Sequence, residues 1–178
     1  MNNTLKIDLN GKSCVIKEIH HIDLCEKDLL DIIDLKMTVW SYPKESQLYW
    51  IKKNVDNNDV HYLLYDDVNL IGYMFICSVS MVENNNKSNL YGISNVCVRK
   101  ALQNKGYGSI LLKNVLELYN NKPLILLTTS KNSAFYKKNG FSKFDGLLII
   151  DGKFERDIIC FYKNFEIKSK EINLDRSF

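Results

Sequence analysis

No Cys-x-x-Cys pair occurs in this chain, and its five cysteines, Cys14, Cys25, Cys77, Cys97 and Cys160, are scattered and odd in number. That pattern supplies neither a disulfide frame nor a zinc site, and it reads as reduced thiols in a cytoplasmic protein. A block of one charge is missing too. The chain sets 24 Lys and Arg against 21 Asp and Glu, a formal net charge of +3, which is too small and too mixed for a nucleic-acid binder. No run approaches the ~20 apolar residues that a membrane span needs. Within Met1–Asn10 no apolar stretch follows a basic segment, so no signal peptide is expected. His20 and His21 are neighbours, which point to opposite faces of a strand, so no metal site is expected there. Repeats and linkers are also lacking. What remains is a 178-residue chain, 46% hydrophobic and 25% charged, the proportions of one globular domain that buries roughly two thirds of its unfolded surface.

Apolar spacing sets the order of elements. Ser13–His20 alternates as a first strand. Cys25–Thr38 is a helix with Leu29, Ile32, Ile33 and Met37 on one face, and Asp28, Asp31 and Asp34 elsewhere. Pro43 suits the first turn of a second helix over Lys44–Asn54. His61–Tyr65 and Leu70–Val82 are strands joined in a hairpin, with Cys77 packed as a small apolar residue. The Asn-rich stretch Glu83–Asn89 reads as an exposed, mobile loop, and Leu90–Val98 as another strand. Gly106–Asn120 is the clearest helix, with Ile110, Leu111, Val115 and Leu118 at helical spacing. Pro123–Thr128 is apolar throughout, the pattern of a strand buried on both faces. A short helix over Asn132–Asn139 ends at Gly140. Phe141–Ile150 and Asp157–Asn164 form a hairpin around Asp151-Gly152-Lys153. The charged tail 166–178 reads as weakly ordered. The fold class is α/β (α+β), a mixed sheet with helices packed on it.

One segment points to chemistry. A strand over Asn95–Val98 runs into the loop Gln103-Asn104-Lys105-Gly106-Tyr107-Gly108-Ser109, which opens the longest helix. A helix N-terminus offers unpaired N–H groups and partial positive charge, both favourable to phosphate. Glycines there let backbone donors approach a pyrophosphate closely, and Ser109 adds a hydroxyl. The third glycine of a dinucleotide fingerprint is absent, and so is the Gly-Lys-Ser/Thr of a Walker loop. A structural tight turn remains the alternative.

The pattern Gln103-x-x-Gly106-x-Gly108 resembles the pyrophosphate loop of the GCN5-related N-acetyltransferase (GNAT) superfamily. Asn132, then Phe135-Tyr136 and Gly140-Phe141, resembles a second hallmark of that family, at the right distance along the chain. The resemblance covers nearly the whole chain and implies a GNAT-like mixed, mostly antiparallel sheet of about six or seven strands with about four flanking helices. It places one such domain over residues 1–165. It implies acetyl-CoA as co-substrate, no metal, and transfer of the acetyl group to a primary amine by direct attack in a ternary complex. Coenzyme-binding residues carried over are Val96, Cys97, Val98, Gln103, Asn104, Lys105, Gly106, Tyr107, Gly108, Ser109 and Asn132. The main chain of Val96–Val98 would meet the pantetheine arm and the acetyl carbonyl, because the family's sheet splays open beside that strand. Those residues equally suit a plain core strand.

Tyr136 is the candidate general acid, since a phenol of pKa ~10 can protonate a departing thiolate; the alternative is packing. Asn132 serves either the pantetheine or the N-cap of the short helix. Lys105, Lys137 and Lys138 stand where phosphates could be met, or are plain solvated surface. Phe135, Phe141 and Phe144 read as core, and His61 as structural. The chain departs from the family in one respect: Leu90–Val98 has no acidic residue to act as general base. Glu83, a water held by Ser94 or Tyr91, or no base at all remain open.

The first two helices form the acceptor wall in similar proteins. Here they carry Trp40, Tyr42, Tyr49 and Trp50, suited to a ring or a cation or to ordinary packing. The aspartates of the first helix, and more weakly Asp145, Asp151 and Glu155, favour a cationic acceptor. The expected acceptor is a small-molecule or peptide amine, with no nucleic-acid or membrane partner, and the protein is expected to be a monomer or homodimer. A second class of function is a catalytically silent acyl-CoA-binding sensor or partner-binding module.

Overall fold

A computed structural model of the chain describes residues 3–9 and 11–178. Residues 1, 2 and 10, part of the Met1–Asn10 stretch considered above, lie outside the described residues. The elements run β1 (Asn3–Leu9), β2 (Lys12–His20), α1 (Glu26–Met37), α2 (Lys44–Asn54), β3 (Val60–Asp66), β4 (Asn69–Glu83), β5 (Asn86–Val98), α3 (Tyr107–Leu118), β6 (Leu124–Thr128), α4 (Ser133–Lys138), β7 (Ser142–Lys143), β8 (Leu147–Ile150), β9 (Lys153–Phe154), β10 (Ile159–Lys163) and β11 (Glu171–Leu174). The mixed α/β class and the mostly antiparallel sheet with four α-helices are as expected. The strand number is corrected: the described residues form 11 strands, because the N-terminus, the hairpin region and the tail all contribute short ones.

The chain divides into two compact units, Met1–Ile76 with Asn95–Val115, and Cys77–Ser94 with Leu116–Phe178. In the first, β1, β2, β3 and β4 pair antiparallel in that order. β1 escaped sequence reading because all its residues but Ile7 and Leu9 are exposed, so it shows no apolar alternation. On α1 the buried side chains are Ile32, Ile33, Leu35 and Lys36, while Met37 is 44% exposed. Lys36, not Met37, therefore continues the buried face, at i+7 from Leu29 and i+4 from Ile32. An added Cβ on Gly72 of β4 would sit 3.2 Å from Leu64 and 3.3 Å from Leu111, so a bare glycine lets α3 close on the strand. The α3 stripe is Leu111, Leu112 and Val115, each at most 1% exposed.

In the second unit β6 is parallel to β5 and antiparallel to β10, which also pairs with β7. Leu124, Ile125 and Leu126 are at most 1% exposed, as its unbroken apolar run requires. Leu118, at the end of α3, is 55% exposed and does not join the stripe predicted for it. The mobile loop expected at Glu83–Asn89 is instead a two-residue turn. Asn84 and Asn85 both take positive φ, 48° and 63°, the backbone of a tight hairpin whose twist matches its strands, and Asn tolerates it. The hairpin expected around Asp151-Gly152-Lys153 joins β8 to the short β9 instead. Of the two expected arms, β7 does pair antiparallel with β10, while β8 leaves for β11, as Gly146 brings the chain against the Lys170 carbonyl and Leu147 donates to that oxygen. The tail is not weakly ordered. β11 lies parallel to β8 and antiparallel to β4, and Ile172 and Leu174 are fully buried.

Candidate active site

In the first unit β5 leads to Gln103 through a single 3-10 turn, Lys100–Leu102. Arg99 ties the end of β5 to the start of β4: its amide donates to the Ile71 carbonyl at 2.8 Å and its Nη2 to the Leu70 carbonyl at 2.9 Å. Asn104 is left-handed, with φ 62°, and Gly106 has φ 90°. Nothing lies within 4 Å of an added Cβ on Gly106, so the backbone angle, not crowding, favours glycine there. The first α3 bond runs from the Ile110 amide to the Gly106 carbonyl. Tyr107, Gly108 and Ser109 therefore hold the positions whose N–H groups have no intrahelical acceptor. Residues 103–106, including Lys105, are exposed, while Tyr107 is buried. Gln103 donates from Nε2 to the Val98 carbonyl at 3.1 Å, which fixes the loop to the strand carrying Val96, Cys97 and Val98. Burial pushes the Cys97 thiol up to about 12, so its side chain is inert packing. An exposed loop of left-handed residues that feeds a helix N-terminus fits a pyrophosphate.

In the second unit the ladder from β5 to β6 runs through Tyr91, Gly92 and Ile93 and ends at Ile93 opposite Leu126. Two residues later Asn95 takes a left-handed φ of 53°. Tyr136 is 7% exposed and sits among rings, with centroids 5.0 Å from Phe135, 5.9 Å from Phe161 and 6.0 Å from Phe141. Phe141 is core as expected; Phe135 and Phe144 are only half-buried. Lys137 and Lys138 are exposed. Asn132 makes no side-chain cap bond, which removes the capping role; its amide donates to Thr128 Oγ1 at 3.1 Å. Glu83 Oε1 accepts the backbone amides of Lys168 and Ser169. That engagement commits the carboxylate to the segment before β11.

Sequence reasoning missed Lys36 and Gln47. Both are buried, 3% and 4% exposed, and both line a cavity of about 430 Å³ in the first unit. Trp40 and Trp50 form its walls, with Tyr42 and Tyr49 also lining it. Trp50 meets Phe75 edge-on at 6.0 Å. The Lys36 ammonium lies 4.7 Å from the Trp50 ring centre and 5.9 Å from that of Trp40. Burial lowers its pKa to about 8. Gln47 Nε2 is buried without a hydrogen-bond partner. The available signal was position: Lys36 falls on the apolar face of α1, and Gln47 falls one turn before buried Ile51 on α2. None of the α1 aspartates invoked for a cation lines this cavity. Asp28 accepts from the Tyr65 hydroxyl, Asp31 pairs with Lys27, Asp34 is exposed, and Asp145 pairs with Lys143.

His61 is fully buried. Its Nε2 is 3.0 Å from His21 Nδ1, and its Nδ1 is 2.8 Å from the Tyr73 hydroxyl. Burial first, then His21 and Lys36, lowers its pKa to about 3, so it is neutral and structural, as expected. All five cysteines are free. Among the described residues no group of three or more His, Cys, Asp or Glu could hold a metal ion. No helix among them is long and apolar enough to cross a membrane.

The sheet, the helix order and the glycine loop between β5 and α3 follow the order expected from the motifs. Residues 57–143 match the family model for the acetyltransferase (GNAT) domain. That model describes the family the motifs resemble, and its match spans 87 of the 178 residues. Among solved structures it is similar to an acyl-CoA N-acyltransferase from Pseudomonas aeruginosa, with 18% identity, a TM-score of 0.60, and coverage of 83% of this chain and 97% of that one. It is also similar to Escherichia coli ElaA, with 18% identity, a TM-score of 0.59, and coverage of 92% and 99%. A third is the PaiA N-acetyltransferase from Thermoplasma acidophilum in complex with coenzyme A, with 17% identity, a TM-score of 0.56, and coverage of 84% and 99%. No curated protein matches the sequence.

Proposed function

We propose that this protein is an acetyl-CoA-dependent N-acetyltransferase that transfers an acetyl group to a primary amine by direct attack in a ternary complex. The observation that carries this reading is the loop Gln103–Ser109, pinned to Val98 by Gln103 and opening α3 at Gly106. The amides of Tyr107, Gly108 and Ser109 would hold the pyrophosphate, with the Ser109 hydroxyl as an added donor. Acetyl-CoA supplies an activated acyl group: the amine nitrogen bonds to the thioester carbon, the C–S bond breaks, and the sulfur leaves with a proton. The main chain of Val96–Val98 would orient the pantetheine arm and donate to the carbonyl oxygen as charge builds there. Asn132 would add a polar contact to the same arm. Tyr136 would give its hydroxyl proton to the leaving sulfur. No carboxylate of β5 takes the amine's proton, since the strand has none. The amine enters neutral, releases one of its two N–H protons to water after it bonds to carbon, and water returns a proton to the Tyr136 phenolate.

A panel of amines incubated with acetyl-CoA, read by release of free thiol, tests this. Thiol release that depends on an amine supports transfer. Acetyl-CoA binding without thiol release for any amine would favour the silent sensor, a reading helped by the engagement of Glu83 with the backbone amides of Lys168 and Ser169.

A further inference from the structure

We propose that the cavity between α1 and α2 receives the carboxylate of an amino-acid acceptor, an amine that also carries a carboxylate and an apolar or aromatic body. This rests on the acetyl-transfer reading and names its acceptor class. Two buried polar side chains, Lys36 and Gln47, line the cavity. Lys36 is 3% exposed and no carboxylate among the described residues pairs with it. Its contacts are the faces of Trp50 and Trp40, which attract the cation but accept no conventional hydrogen bond. Gln47 is 4% exposed and its Nε2 has no partner. A buried ammonium and a buried amide donor left unmatched are costly, and folding keeps both on one cavity wall. A carboxylate satisfies both, because its two oxygens accept from an ammonium and from an amide.

The remaining lining fits the rest of such a molecule. Trp40, Trp50, Tyr42 and Tyr49 offer ring faces and edges to an apolar side chain. Asn95 also lines the cavity and immediately precedes Val96–Val98, so an amine beside the carboxylate lies toward the strand assigned to the acyl group. A polycationic acceptor fits badly, since the cavity wall holds a lysine and no carboxylate. A site built around hydrogen-bond donors rejects an analogue that lacks the matching acceptor far more strongly than an apolar pocket rejects a change of size.

Matched pairs test this on the full chain: L-phenylalanine against phenethylamine, L-tryptophan against tryptamine, and L-leucine against isoamylamine. Binding is measured by calorimetry with and without coenzyme A, and thiol release is measured separately with acetyl-CoA. In at least one pair the acid should bind about tenfold or more tightly than its amine, and Lys36→Met or Gln47→Leu should reduce that ratio to about threefold or less. The amine equalling or exceeding the acid in all three pairs overturns the proposal, as does a ratio that survives in folded Lys36→Met. If a variant fails to fold, the wild-type pairs still decide. Acids that bind without thiol release uphold this site and sink the acetyl-transfer reading. Acetylation of amines with no preference for acids does the reverse.

Discussion

The Lys36 ammonium sits 4.7 Å above the Trp50 ring, at a side chain 3% exposed, with its pKa lowered by burial to about 8 from 10.5. Between those values the unfolded chain holds more protons than the folded one, so this group makes stability rise with pH from about 8 to 10.5. Below about 8 both states are charged and the folded state bears the full cost of desolvation. Lys36→Met should therefore raise the unfolding free energy by about 1–3 kcal/mol at pH 7, read from urea titrations. It should also abolish the rise above pH 8. A destabilised variant would mean that the ring contacts outweigh desolvation.

His61 works in another pH range. Its pKa falls to about 3 from 6.5 in the fold, so it contributes stability present above 6.5 and lost as pH drops toward 3. The slope reaches at most about 1.4 kcal/mol per pH unit. Comparing wild type with His61→Gln between pH 7 and 5 separates this effect from that of the carboxylates. The difference in unfolding free energy should shrink as pH falls; a constant difference would show that His61 does not resist protonation.

Gly92 has no room for a side chain. An added Cβ would lie 2.6 Å from Val79 Cγ2, 2.9 Å from Cys77 Sγ and 2.9 Å from the Phe178 ring. Gly92→Ala should cost about 1–3 kcal/mol through overpacking, measured by thermal or urea unfolding. A neutral result would mean that the last residue of the chain is not held against β5.

These sites show where sequence reading succeeds and where it stops. Elements with strong periodicity were legible: α2 has the predicted bounds, α1, α3 and β6 lie within a few residues of theirs, and the glycine loop falls between β5 and α3 as expected. Elements defined by distant partners were not. β1 has no apolar face of its own, and β11 becomes a strand only because β8 and β4 flank it. Polar composition misled at Asn84-Asn85, where asparagine signals left-handed turn geometry rather than mobility. In the candidate site, spacing located Gln103–Ser109, but it did not single out Lys36 or Gln47. Only tertiary packing reveals a buried lysine beside two tryptophans.

Tyr136 separates catalysis from packing. Its ring contacts to Phe135, Phe141 and Phe161 survive in Tyr136→Phe, so the fold should hold. If its hydroxyl protonates the leaving sulfur, turnover should fall by about 10²–10⁴ while acetyl-CoA affinity changes little. Steady-state kinetics beside calorimetry checks this, and equal turnover would reduce Tyr136 to a core ring.

Calorimetric titration of acetyl-CoA into wild type and Gly108→Glu measures the coenzyme site itself. The wild type should bind, and the folded variant, with a carboxylate set against the pyrophosphate, should bind about 100-fold more weakly or worse, a loss of about 2.7 kcal/mol. Equal affinity in the two proteins would contradict the account, because the helix N-terminus at Gly106 would then not be where the coenzyme is held.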